Sequence, residues 1–175
     1  MDSCAERHVN VDATRAMFHL LVAWQARVHA TRVVATDGSR SAQRVQTATG
    51  DLTTISKTTS AAVRHDGHVD GGALDSGDDN YKAELVALVA ALEGQGESVI
   101  VVFDAQSPVR AWMKFARSSA RRRQDYRYAE LLGELDARIR QQRAVVLLWQ
   151  TSHVGEPVNS WADMMADEMP VDDPT

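Results

Sequence analysis

The spacing of hydrophobic positions changes several times along the chain, and each change marks an element. Between residues 12 and 29, Met17, Leu20, Leu21, Trp24 and Val28 recur at helical spacing, which predicts an amphipathic helix with one apolar stripe. Thr31 to Thr36 is rich in β-branched residues and predicts a strand whose end delivers Asp37, Gly38 and Ser39. Residues 40–57 are polar without a clear period and read as a long loop. Thr59 to His65 and His68 to Leu74 then flank Asp66-Gly67, a dipeptide that tolerates positive φ and so predicts a hairpin.

From Tyr81 to Glu93 the apolar residues Leu85, Leu88, Val89 and Leu92 keep helical period, with Asn80 placed as N-cap and Gly94 just past the end. Ser98 to Phe103 is a continuous apolar run, as in a strand covered on both faces, and it ends at Asp104. Ser107 and Pro108 read as the cap and first turn of a helix carrying Val109, Trp112, Met113 and Ala116. Tyr128, Leu131, Leu132, Leu135 and Ile139 mark a further helix, Ala144 to Trp149 another buried strand, and residues from Asn159 to Glu168 a last short helix stopped by Pro170. Hairpins first and crossovers later predict an α/β fold with a five-stranded mixed sheet, three antiparallel strands then parallel ones, flanked by helices. In such sheets ligands gather at the carboxyl ends of the parallel strands, where Asp37 and Asp104 fall.

Composition adds limits. The 175 residues fit one domain, with 1–30 as an N-terminal extension, 31–169 as the domain and 170–175 as a tail. No apolar run is long enough to span a bilayer and the N-terminus has no signal pattern, so an intracellular setting, cytoplasmic or nuclear, is expected, without membrane association. Cys4 is the only cysteine, which excludes an intrachain disulfide and a thiolate zinc site. The net charge of −5 argues against a nucleic-acid partner until its distribution is seen. Between Arg110 and Arg143 ten basic side chains face four acidic ones, a segregated basic segment on an otherwise acidic chain. Such a segment is either a surface that grips phosphates or a solvated helix face, in which case the grip is to be sought on Arg40, Arg44 and Lys57.

Each notable acid has a plain reading: Asp37 as a turn residue, Glu84 as an exposed helix residue, Asp104 as a cap, Asp163 as a surface acid. Together they read differently, because two acids end adjacent strands while Glu84 can point at the same edge. Clustered carboxylates raise one another's pKa unless cations bind, and hard oxygen ligands without cysteine favour Mg²⁺ or Mn²⁺ over zinc.

Four motifs carry a resemblance. They are Thr36-Asp37-Gly38-Ser39; Ala83-Glu84-Leu85 with Ala87-Leu88; Phe103-Asp104 with Gln106; and Trp149 followed by His153-Val154-Gly155, Asn159 and Ala162-Asp163. In the last, the histidine precedes the asparagine by six positions and the acid by ten. The chain resembles ribonuclease H type 1, including the versions carried by retroviruses and retrotransposons, over residues 31 to 168.

The resemblance implies the ribonuclease H-like fold and an endonuclease that hydrolyses the RNA strand of RNA·DNA hybrids, giving 5′-phosphate and 3′-hydroxyl ends. It implies two Mg²⁺ ions, replaceable by Mn²⁺, held by Asp37, Glu84, Asp104 and Asp163, with His153 on a mobile loop beside them moving protons or releasing product. Gly38, Ser39, Asn80, Gln106 and Asn159 are the candidate substrate contacts near the acids, and Arg121, Arg122 and Arg123 those in the basic segment. The hybrid is the expected partner, a reverse transcriptase domain or parent polyprotein a candidate one, and the protein is expected to act as a monomer. The chain departs from the family in three places, one of them Ala105, where a serine commonly follows the third acid. Arg40 to Asp51 replaces a glycine-rich stretch, and Asp79 stands where a threonine commonly helps seat a DNA phosphate, which a carboxylate would repel. Competing readings are another nuclease on the same fold or a hybrid-binding module without chemistry.

Overall fold

The computed structural model describes residues 31–46, 49–75, 77–151 and 157–168. The helix expected over residues 12–29, His153 and the stop at Pro170 lie outside them. Along the chain come strand β1 (Thr31–Gln46), β2 (Leu52–Arg64), β3 (Val69–Ala73), helix α1 (Asn80–Ala91), β4 (Ser98–Phe103), α2 (Gln106–Arg117), α3 (Ala120–Arg123), α4 (Ala129–Gln141), β5 (Ala144–Trp149) and α5 (Pro157–Glu168). The five strands form one sheet in the order β3-β2-β1-β4-β5. The pairs β1–β2 and β2–β3 are antiparallel, and β1–β4 and β4–β5 parallel. The mixed sheet expected from the order of hairpins and crossovers is therefore the sheet observed.

Alternation along β1 and β4 sorts the core into two layers. Val34, Val99, Val101 and Phe103 face Leu85, Leu88 and Leu92 from the α1 segment, Val109 and Phe115 of α2, and Leu132 and Leu135 of α4. Val33, Ala35, Ile100 and Val102 face the other way, toward Ala162 and Met165 of α5. Burying each of these leucines contributes roughly 1.5–3 kcal/mol, so the α1 side is the heavier layer.

Four expectations are corrected. Residues 40–46 and 52–57 are strand, not loop: β1 and β2 pair without a break from Val34↔Arg64 to Gln46↔Leu52. Both faces of that stretch are polar, so the two-residue period that betrays a half-buried strand is missing. The first strand accordingly does not end at Thr36, and Asp37 lies inside β1. It still lies where β1 parts from β4, whose pairing stops at Thr36↔Phe103. Second, β5 is an edge strand with Val146 and Trp149 exposed, not a buried one. Third, the N-cap of α1 is Asp79, whose carboxylate accepts from the Lys82 N–H at 3.0 Å, which leaves Asn80 as the first helical residue. Fourth, α2 starts at Gln106 with Ala105 at the cap position and no side-chain cap bond, so Ser107 and Pro108 lie inside its first turn.

The Asp66-Gly67 hairpin is as expected. Gly67 takes φ +91°, and the Arg64 N–H donates across the turn to the His68 carbonyl at 2.8 Å.

Candidate active site

Asp37, Glu84 and Asp104 come from β1, α1 and the residue after β4, and the structure brings one oxygen of each within 4.8 Å of the others. Three separate elements meet because β1 and β4 are parallel neighbours and α1 crosses β1 at Gly38. A Cβ on Gly38 would stand 2.6 Å from the Glu84 backbone nitrogen, so only glycine lets the helix lie this close. That approach also lets the Gly38 N–H donate to the Glu84 carboxylate.

Glu84 is 5% exposed and Asp37 is also buried. Burial, then the charges of Asp37 and Asp104, push the Glu84 carboxyl up to about 9, against the single opposing influence of the Gly38 N–H. The mutual repulsion expected of clustered acids thus adds to the larger effect of burial. The acids open into a cleft of about 320 Å³ that Gly38, Ser39, Arg40, Asn80, Ala105 and Asp163 also line. Asp163, on α5, shares this cleft but lies outside the tight group of three.

Two bonds from β5 fix the backbone that carries Asp104. The Gln150 N–H donates to the Phe103 carbonyl and the Trp149 indole N–H to the Asp104 carbonyl, both at 2.8 Å. Trp149 is 51% exposed, so its N–H could equally have been left to water. Holding that carbonyl sets the turn from strand to helix at the point where Asp104 must aim at Asp37 and Glu84.

The remaining sequence candidates divide. Asn80 is exposed on the cleft wall, which fits a substrate contact. The Ser39 hydroxyl donates to the Asp167 carboxylate of α5, tying β1 to that helix. Gln106 accepts from Arg110, one turn on in α2, and is not among the cleft residues. Asn159 lies in the first turn of α5, and neither its side chain nor His153 falls within what the structure describes. Arg121 and Arg122 are exposed on α3. Arg123 is held inward: its Nε donates to the Phe115 and Ser118 carbonyls at 3.1 and 3.2 Å, and its guanidinium lies 4.8 Å from the centre of the Phe115 ring. It finishes α2, so its geometry is that of a helix-end clamp more than of a phosphate contact.

Asp79 is less repulsive than its position suggested. Arg127 pairs with it at 2.5 Å, and the Tyr128 hydroxyl donates to it at 3.2 Å. Burial alone would raise its carboxyl, but the Lys82 N–H, Tyr128 and Arg127 outweigh this and hold it below the ordinary carboxylate range. Tyr128 takes φ +57°, costly for a side chain of its size, and is fixed by stacking on Tyr81 at 5.9 Å and by Arg127 over its ring. Sequence reasoning missed this cluster and the Trp149 bond.

With the acids in place, the family comparison is decisive. The RNase H family pattern matches residues 29–170, which cover the whole sheet, its helices and all four acids. The chain belongs to the RNase H family. No curated protein matches it. Its domain is accordingly that of a nuclease, a hydrolase that binds nucleic acid, and its carboxylate cluster has the makeup that could hold a metal. Among the described residues no helix is long and apolar enough to cross a membrane.

Proposed function

We propose that the protein hydrolyses the RNA strand of RNA·DNA hybrids with two divalent ions at the acid cleft. The observation that carries this is the convergence of Asp37, Glu84 and Asp104 within 4.8 Å in an RNase H-family chain. The donors fit Mg²⁺ or Mn²⁺: among the described residues the group is three carboxylates, without thiolate or imidazole, in a site where burial and repulsion already favour neutralising their charge.

Asp37, Glu84 and Asp104 would hold the metals, with Asp163 completing the set from α5. Bound there, divalent ions lower the pKa of an attacking water and stabilise the leaving oxygen. The protein's own groups do the rest. Gly38 keeps Glu84 against β1, Trp149 holds the Asp104 backbone, and Asn80 offers its amide where a 2′-hydroxyl would distinguish RNA from DNA. By the family resemblance His153 would move a proton, so His153→Ala should slow turnover yet leave measurable activity; complete loss in a folded variant would make it a ligand or a structural residue. The products would be 5′-phosphate and 3′-hydroxyl ends. Residues 31–169 would form the working domain.

The test is incubation with an end-labelled RNA·DNA hybrid, with and without Mg²⁺, beside duplex DNA and single-stranded RNA. Metal-dependent cutting of the hybrid's RNA strand alone is expected. Cutting of duplex DNA instead would assign a different nuclease on this fold, and binding without cutting a module without chemistry.

A further inference from the structure

The β1–β2 hairpin outruns the sheet at the edge where the acids lie. β4 leaves β1 after Thr36 and β3 pairs with β2 no farther than Thr59, whereas β1 and β2 stay paired to Gln46↔Leu52. A two-stranded ribbon thus rises from Asp37, one of the acids, and runs for roughly 30 Å at about 3.3 Å per residue. Such ribbons are marginal alone, so the way this one is held, and what it presents, both matter.

Its two faces differ. On one, Ser39 and Ser41 lie opposite Thr59 and Lys57, and α5 anchors this face at its base: Ser39 donates to the Asp167 carboxylate, Lys57 to the Asp167 carbonyl at 2.7 Å, and Thr59 to the Ala166 carbonyl at 2.5 Å. The other face starts at Gly38, against α1, and continues through Arg40, Ala42 and Arg44 opposite Thr58, Ser56 and Thr54. Arg40 and Arg44 are both exposed, and Arg40 lines the acid cleft. The only acid between Gly38 and Thr58 is Asp51, out at the tip. This face therefore carries one sign of charge, is edged with hydroxyls, and is continuous with the cleft.

We propose that this face is a nucleic-acid-gripping arm in which Arg40 and Arg44 take backbone phosphates of the duplex leaving the cleft. Four strand residues separate the arginines by about 13 Å, and Arg44 stands about 23 Å from Asp37. At about 3.4 Å per nucleotide along a strand, the two contacts fall about four nucleotides apart, the farther one about seven from the scissile position. The proposal rests on the hybrid-nuclease reading and adds the partner's contact surface and its reach.

The test is hybrid binding by fluorescence anisotropy in an Asp37→Asn background, so that the strand stays whole, over a salt series. The hybrids are lengthened stepwise on one side of the target position and then on the other. The double variant Arg40→Ala/Arg44→Ala should bind more weakly and flatten the slope of log affinity against log salt by roughly 1.4 to 1.8, two contacts' worth. Arg44→Ala alone should cost affinity only on hybrids extending beyond about six base pairs on one side, and Arg44→Lys should restore the slope by returning the charge. Unchanged affinity and slope on the longest hybrids, or a loss from Arg44→Ala that is equal at every length, overturns the arm. If the protein without the arginine changes binds no hybrid, the nuclease reading falls, and the arm with it.

Discussion

At the acid cleft, three carboxylates from three elements are gathered within 4.8 Å and two of them are buried; at the joint around α3, Arg117, Arg121, Arg122 and Arg127 are all exposed. The two regions hold like charges of opposite sign, and burial separates their roles. Carboxylates gathered where two of the three are buried cannot spread apart, and burial together with repulsion bears on one group, Glu84. The arginines relax by spreading into solvent or, for Arg123 and Arg127, by lying over aromatic rings. A buried cluster can hold a cation tightly at one point, whereas an exposed one can contribute only through several weak, salt-screened contacts.

The sharpest way to break this contrast is to neutralise one buried acid. Asp37→Asn or Asp104→Asn should lower hybrid cleavage by at least about a hundredfold, the upper range for disturbing even the groups around a metal's ligands, while circular-dichroism melts show a fold as stable as before or more so. Substantial Mg²⁺-dependent activity in either variant would mean the cluster is not the reaction centre. Next comes the bond that aims Asp104. Trp149→Phe should weaken Mn²⁺ binding, measured calorimetrically on the protein alone, by about tenfold with little change in melting temperature. Equal Mn²⁺ affinity would leave the indole with no positioning role.

What burial first and the neighbouring carboxylates second do to Glu84 can be read from pH. The folded-state pKa of Glu84 lies at about 9 rather than 4.5, so the fold favours the protonated acid. The stabilisation from that proton is complete below about 4.5 and is lost as pH rises through about 9. The metal-free melting temperature should therefore fall across that window, and Glu84→Gln should fall less. Identical pH profiles for the two proteins would show that the fold does not raise the Glu84 carboxyl.

The smallest effects belong to the joint, where the arginines should separate by their geometry. Arg121→Ala with Arg122→Ala should weaken hybrid binding a few-fold and flatten its salt slope by about 1.5, leaving stability alone. Arg123→Ala should do the reverse, lowering the melting temperature because the α2 end loses its clamp. If all three act alike on the slope, Arg123 leaves its carbonyls to meet phosphate.

The mixed sheet, α1 and the acid trio were legible because each rests on a strong local signal: an apolar run in β4, helical spacing in α1, and acids at the ends of the parallel pairing. The outer hairpin was not, because a ribbon exposed on both faces carries no alternation to read. Edge exposure of β5 was hidden for a related reason. Ala144 to Trp149 is as apolar as β4, and only the sheet order reveals that nothing pairs with its far side among the described residues. At the site, residue identity pointed to the carboxylates but not to what positions them. The Trp149 bond and the Asp79–Arg127 pair join residues far apart in sequence, and no spacing rule links them. The same limit made Arg123 look like Arg121 and Arg122, since three consecutive arginines differ only in where the helix turn aims them.

The threading of the cleft has a consequence for the protein as it is made. Its walls are drawn from both ends of the described chain, with Asp37 early and Asp163 late, and the acid trio requires β4 to pair with β1 after β2 and β3 have already been added on β1's other side. During vectorial synthesis, at roughly 5–20 residues per second, the hairpins can form as they emerge, while the parallel pairing waits for a distant segment. The nascent chain thus passes through a stage in which the ribbon is built and the acids are still apart. A cleft complete with Asp163 has to wait for α5, the last of the described elements, to reach a surface that the earlier ones have already shaped.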